Sequence, residues 1–204
     1  MKIIIPNFLR WYPILSLTLT IAFLGICTIL YEYFKVEDNT VVSLSAIHHL
    51  GEEYRVNNFY IDKRISGEIM EGGEGGGLIC CITIPKIWTP NLMVEIRWEV
   101  NRIIQTSDFI KKAEMEGIYR ARVPIESYTE ADHLWVHFFP HGRVRVVVSR
   151  FGPHAELHPI EWDDMQATRK ATTGSISKEL FTPEEIAEFR HEDSLNRKKY
   201  GDWR

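Results

Sequence analysis

Five histidines fall within 26 residues, at His133, His137, His141, His154 and His158. Imidazole is a common metal ligand and the side chain that titrates nearest neutrality. A zinc centre needs three or four N, S or O donors about 2 Å from one point. On an extended strand His133 and His137 share a face but stand about 13 Å apart at roughly 3.3 Å per residue, too far for one ion. His154 and His158 lie in a proline-bounded loop and can converge with His141 at a hairpin tip. The plainer alternative is loop and surface histidines hydrogen-bonded one by one, and the spacing favours it. No metal ligand is assigned.

Other reactive types are sparser. There is no G-x-S-x-G elbow and no H-E-x-x-H helix, so no catalytic residue is assigned and the chain is not read as an enzyme. Glu161, Asp163 and Asp164 around Trp162 come nearest to a carboxylate cluster. Gly67 to Gly77 ends with five glycines in six residues, but no Lys-Ser or Lys-Thr follows and the next element reads as a strand. Neither phosphate-cradling fingerprint is met, and no cofactor is implied. Cys80 and Cys81 are adjacent in an apolar strand, where successive side chains point to opposite faces. Two readings stay open: a pair of buried thiols acting as small hydrophobes, or a vicinal disulfide with a distorted backbone.

The elements that must position these residues follow from composition and periodicity. A chain of 204 residues with 25% charged and 45% hydrophobic residues suits one domain of about 150 residues plus an appendage. That composition excludes disorder, collagen and coiled coil. Trp11 to Tyr31 is a run of 21 residues without a charge, spanning roughly 30 Å as a helix, the thickness of a bilayer core. Pro13 falls in its first turn, and Trp11, Tyr12, Tyr31 and Tyr33 suit the two interfaces. Lys2 and Arg10 precede the run, whereas Glu32, Glu37 and Asp38 outweigh Lys35 after it. The expectation is a single-pass inner-membrane helix with the carboxyl-terminal domain in the periplasm. Leu24-Gly25-Ile26-Cys27 offers a competing lipid anchor at Cys27, against which stands Ile26, where a lipobox holds a small residue. Simple cleavage is disfavoured because no A-x-A-like site closes the run.

The expected organisation is a membrane anchor or signal segment over 1–35 and a β-rich domain over 36–204. The latter carries a net charge of −6, with 21 basic and 27 acidic residues. Its densest basic group, Arg143, Arg145 and Arg150, reads as a solvated strand face, so nucleic acid is not expected as a partner. Strands are expected at 41–50, 56–61, 78–84, 94–100, 119–125, 134–139 and 143–149. Val94, Ile96, Trp98 and Val100 alternate with charged residues, and Pro140-His141-Gly142 closes a hairpin. The stretch 78–84 reads as a strand buried on both faces in mid-sheet, and Ser107–Glu116 as polar and helix-compatible. Thr182-Pro183-Glu184-Glu185 is a capping box opening a helix near 183–199, with Ile186, Phe189 and Arg190 facing inward. The fold class is mainly β: an antiparallel, sandwich-like domain with a C-terminal helix, preceded by one N-terminal transmembrane helix.

Two blocks, GGGLICCITIPKIWTPNLMVEIRW at 75–98 and VHFFPHGRVRVVVSRFGPHAELHPI at 136–160, resemble a family of proteobacterial envelope proteins. That family consists mostly of lipoproteins and is named only as a domain of unknown function. Its members are often encoded beside type VI secretion phospholipase effectors, and some are regarded as their immunity proteins. The resemblance implies a periplasmic inhibitor that binds a phospholipase toxin, and it implies no catalytic residues. Under that reading the candidate partner-binding residues are Glu74, His154 and His158 in the loops 68–77 and 152–159, or the aromatics Trp88 and Trp162, while Trp98 belongs to the core. The alternative is a structural or assembly factor of the envelope without a toxin partner. A third reading is a metal- or ligand-binding module using the late histidines.

Overall fold

The structure, a computed structural model, describes residues 20–26, 38–73, 79–105, 111–161, 164 and 166–201. The chain divides into two units, 1–38 and 39–204. In the first, residues 20–26 are helical, and the rest of the apolar run, Cys27 included, lies outside the described residues. Among the described residues no helix is long and apolar enough to cross a membrane.

The second unit is built from β1 (Asn39–His48), β2 (Tyr54–Ile61), β3 (Ile65–Ile69), β4 (Ile79–Pro85), β5 (Met93–Gln105), β6 (Lys111–Pro124), β7 (Leu134–Phe139), β8 (Arg143–Val148), β9 (Thr172–Thr173), β10 (Ser175–Ser177) and a helix, α1 (Pro183–Tyr200). One sheet has the order β4-β1-β7-β8-β9 and the other β10-β6-β5-β2-β3. The molecule is therefore mainly β with a C-terminal helix, but not wholly antiparallel. Strand β1 runs parallel to β7, with Leu44 opposite Leu134 and His48 opposite Phe138.

Both sheets turn apolar side chains into one core in which Trp98, Phe59 and Phe138 are fully buried. The Phe138 ring lies 5.5 Å from Phe59 and 5.4 Å from Trp98 in tilted contacts, a favoured aromatic geometry. The β7–β8 hairpin turns through Pro140, His141 and Gly142 between the paired Phe139 and Arg143, with His141 and Gly142 both at left-handed φ. A Cβ at Gly142 would stand 2.3 Å from the Tyr119 ring, so only glycine fits. The β2–β3 hairpin uses Asp62 and Lys63 at positive φ. Without a glycine there, sequence patterning misses both this turn and β3.

Several expected elements differ from those found. Strand β6 begins at Lys111, so 111–116 is an extended arm paired to β5 and not a helix. Strand β4 is the edge of its sheet, with Ile82 and Ile84 buried but Cys81 and Thr83 exposed. Its continuous apolar look hid a half-buried alternation. Cys81 is disulfide-bonded, which removes the reading of it as a buried thiol; the Cys80 side chain lies outside the described residues.

Helix α1 opens with the expected capping box but buries none of its residues, and Ile186 is exposed instead of facing inward. What moors it is Arg97, a β5 residue expected on a solvated face and found buried. Its Nη1 and Nη2 donate to Glu185 Oε2 and Oε1 at 2.6 and 2.8 Å. Its Nε donates to Glu95 at 2.8 Å, and Nη1 also donates to the Leu180 carbonyl at 2.7 Å. Lys63 Nζ adds a contact to Glu185 at 2.8 Å. Arg97, then Lys63, hold the Glu185 carboxyl far below its usual range. Because its folded pKa is depressed, the contribution of Glu185 to stability is complete above about pH 4.5 and lost progressively below it. Glu185→Gln is expected to cost about 2–3 kcal/mol in urea unfolding at pH 7, hydrogen bonds to charged groups being worth about 1.5–3 each. The variant should also show a weaker acid dependence below that pH. Equal midpoints for variant and parent would remove the clamp as a source of stability.

Candidate functional site: a histidine chain beneath an exposed loop

Leu134, Val136 and Phe138 of β7 enter the common core, which leaves Trp135, His137 and Phe139 on the other face of the sheet. That face is covered too: Ile160 and Ala167, from the segment after β8, pack there with Phe139 and Val147. The parallel register sets Ile47 beside His137 and delivers His49, just past β1, onto the same face. The His49 ring stacks on Phe139 at 4.7 Å and its backbone N–H donates to the Phe138 carbonyl at 2.8 Å.

Three imidazoles then form a chain. His158 Nδ1 lies 2.8 Å from the Phe151 carbonyl, His158 Nε2 lies 3.0 Å from His137 Nε2, and His137 Nδ1 lies 2.9 Å from His49 Nε2. A carbonyl only accepts, so His158 carries its proton on Nδ1. Its Nε2 is then the acceptor for His137 Nε2–H, and His137 Nδ1 accepts from His49 Nε2–H. One backbone carbonyl thus sets the tautomer of three neutral rings.

The electrostatics favour the neutral form. Burial pushes His137 well below the usual histidine range, and the charges of His49, His158 and Arg145 push in the same direction. His158 is lowered by burial first and by Arg145, against the Phe151 carbonyl. Arg145, read from sequence as part of a solvated face, is buried opposite His137. Glu126 receives its Nε and Nη2 at 2.6 and 2.9 Å. The rest of the basic group is also engaged: Arg143 reaches the Thr168 carbonyl at 3.4 Å and Arg150 reaches Glu130 at 2.9 Å.

Beside this chain is a cleft of about 550 Å³ whose walls include Tyr128, Glu130 and Asp132 on one side and Arg150, Phe151, Leu157 and Pro159 on the other. Within the loop 151–159 His158 is the one buried side chain. Its neighbour Leu157 is 69% exposed and Phe151 is 37% exposed.

The candidate residues therefore separate. His158 supports the loop from below and presents no contact surface, while His154 is exposed on the loop. Trp88 is half-buried, and its Nε1–H donates to the Ile125 carbonyl at 2.9 Å. Glu74 and Trp162 lie outside the described residues. His141 joins a separate small pocket with Tyr54 and Tyr119 and does not converge with His154 or His158. Asp164 accepts from the backbone N–H of Gln166 at 2.7 Å, which makes it a turn residue. Among the described residues no three His, Cys, Asp or Glu groups converge on a metal position.

Two further pairings bear on catalysis. Ser43 Oγ and His133 Nδ1 share a hydrogen bond of 2.7 Å, but His133 Nε2 is buried without a partner. No carboxylate orients that ring, because Asp132 turns its Oδ1 to the backbone N–H of His133. Ser175 and Lys178 have S-x-x-K spacing, but Lys178 lies beyond the end of β10 and the Ser175 hydroxyl donates to the Arg120 carbonyl at 3.1 Å. The sequence reading missed His48 and His49. The doublet His-His at a strand end is the available signal, but only the parallel register says which ring meets His137. His48 faces the opposite way, with its Nε2 donating to the Met70 carbonyl at 2.9 Å.

Burial lowers the pKa of His48, His133, His137 and His158. The unfolded chain therefore binds more protons than the folded one below about pH 6.5, and stability must fall as pH drops through that value. Each such proton contributes a slope of about 1.4 kcal/mol per pH unit. Urea unfolding at pH 7.5, 6.0 and 5.0 should show a progressive loss, and a flat profile would contradict the burial of these rings as neutral bases.

No curated protein matches this chain. Residues 51–146, a little under half the chain and spanning β2 to most of β8, match the family DUF3304, which is described as a protein of unknown function.

Proposed function

We propose that the protein is a membrane-tethered envelope protein that acts by binding, and that its partner is a secreted phospholipase toxin, which it neutralises. The observation that carries the reading is the loop 151–159. It holds Leu157 and Phe151 out at the rim of a cleft while His158 fixes it from beneath. Exposed apolar anchors on a preorganised loop suit protein recognition, since little conformational entropy is lost on binding.

The match at 51–146 supports a domain family of unknown function, and the resemblance of the blocks 75–98 and 136–160 is what suggests the envelope. The charge-free run 11–31 supports an inner-membrane anchor with the domain in the periplasm; acylation at Cys27 would serve the same end. Either tether raises the local concentration at the surface where a phospholipase acts.

The test is to produce the adjacent phospholipase effector in the periplasm with and without this chain. Wild type is expected to restore growth. Leu157→Asp and Phe151→Asp should weaken binding at least tenfold, with unchanged urea midpoints. Unchanged killing in the presence of wild type would sink the toxin reading, and binding without protection would favour an envelope assembly role.

A further inference from the structure

The hairpin tip at His141 and the phenols beside it take no part in the loop 151–159 or its cleft. They enclose a separate pocket of about 90 Å³. The β7–β8 turn at Pro140 and His141 forms one side of it, and Tyr54 of β2 with Glu116 and Tyr119 of β6 forms the other. A drug-sized ligand needs about 300–1,000 Å³, so this space admits only a small group.

Two features of the chain build the pocket. The first fixes Tyr119. Its ring stacks on Trp98 at 5.4 Å and lies over Gly117 and against Gly142, where a Cβ would stand 2.9 Å from its hydroxyl oxygen and 2.3 Å from its ring. The second re-aims Glu116. Strict alternation would set it on the face opposite Gly117 and Tyr119, but the pairing with β5 slips at this point. Val100 lies opposite Gly117 and Asn101 opposite Met115, which leaves Glu116 as the extra residue of a β-bulge. Bulges redirect a side chain in this way, and Glu116 lines the pocket and accepts from the Tyr54 hydroxyl. Burial first, and then the Glu116 charge, raise Tyr54 and Tyr119 above the usual phenol range.

The lining is suited to a cation. Glu116 is its one carboxylate, and among the described residues no lysine or arginine lines it. Arg102 sits 5.9 Å from the Tyr54 ring but pairs with Glu53 at 4.0 Å and stays outside the lining. Tyrosine rings attract cations through their quadrupole, and aromatic cages hold quaternary ammonium groups on that principle. The lining also includes Leu50, Val100 and Pro140, whose side chains accept no hydrogen bond. A primary ammonium brings three N–H donors to a site whose single carboxylate already accepts from Tyr54. A fully alkylated ammonium brings the charge without the donors.

We propose that the pocket between Tyr54, Glu116, Tyr119 and the β7–β8 turn is a binding site for a quaternary ammonium group of the choline type, carried by a free small molecule or by a lipid headgroup. The methyl groups pack on the phenol rings, Leu50 and Val100, and Glu116 supplies the counter-charge. The site shares no lining residue with the cleft at 151–159, so it stands or falls apart from the toxin reading.

The experiment is calorimetric titration of the full chain in maltoside micelles with tetramethylammonium chloride, choline and ethanolamine at constant ionic strength. Tetramethylammonium and choline are expected to saturate one site, with ethanolamine at least tenfold weaker. Glu116→Gln removes the charge of an exposed side chain and keeps an acceptor for Tyr54. It should weaken choline binding at least tenfold with an unchanged urea midpoint. No saturation by tetramethylammonium, or wild-type affinity in Glu116→Gln, would overturn the site. Ethanolamine binding as tightly as choline would overturn it too and point to a lysine of a partner protein. Repeating the choline titration in phosphatidylglycerol nanodiscs with and without phosphatidylcholine separates the sources. Competition by phosphatidylcholine supports the site with a lipid headgroup as its ligand, and equal choline affinity in both supports it with a soluble one.

Discussion

Strands β7 and β8 are buried on both faces, so the polar side chains they carry have no water to fall back on. One face meets the aromatic core of Trp98, Phe59 and Phe138, and the other meets Ile160 and Ala167 of the chain that follows β8. A buried polar group without a partner costs about 1–3 kcal/mol. Arg145 and His137 therefore had to find partners within the protein. Glu126 reaches Arg145 from the end of β6, and two other histidines reach His137. The loop beside the cleft takes its position from that requirement.

What the sequence shows and what it hides follow one rule. Patterns that depend on neighbours in the chain were readable: the alternation in β5, the Pro140-His141-Gly142 hairpin, and the capping box at Thr182. Patterns that depend on what lies across a sheet were not. Arg97 and Arg145 sit at the polar positions of alternating strands, and alternation assigns such positions to solvent. Each instead lies under a later segment, α1 for Arg97 and the chain after β8 for Arg145, and no local pattern announces a second covering layer. The parallel pairing of β1 with β7 is hidden for the same reason, since the paired residues lie 90 positions apart, as Leu44 and Leu134 do, and hydrophobic pattern does not encode strand direction. His49 was invisible as a site residue because its role exists only through that pairing. The edge position of β4 was hidden as well, because the apolar look of 78–84 is compatible with burial on one face or on both.

The two covering segments are attached by different chemistries. Helix α1 contributes no buried residue and is held through Arg97 and Glu185, groups that stay charged across the physiological range. Such a clamp gives position and specificity more than net stability, because desolvating the ions offsets much of their attraction. The loop 151–159 is held from His158 to His137 by neutral imidazoles, both of which burial pushes below the usual histidine range.

That contrast ranks the two attachments by pH. Weakening the Arg97 clamp requires protonating a carboxylate held far below its usual range, which needs strongly acidic conditions. Charging the histidine chain requires a proton on rings that burial has lowered, His158 and, well below the usual range, His137. Acidification therefore reaches His158 before it reaches the carboxylate that holds the helix.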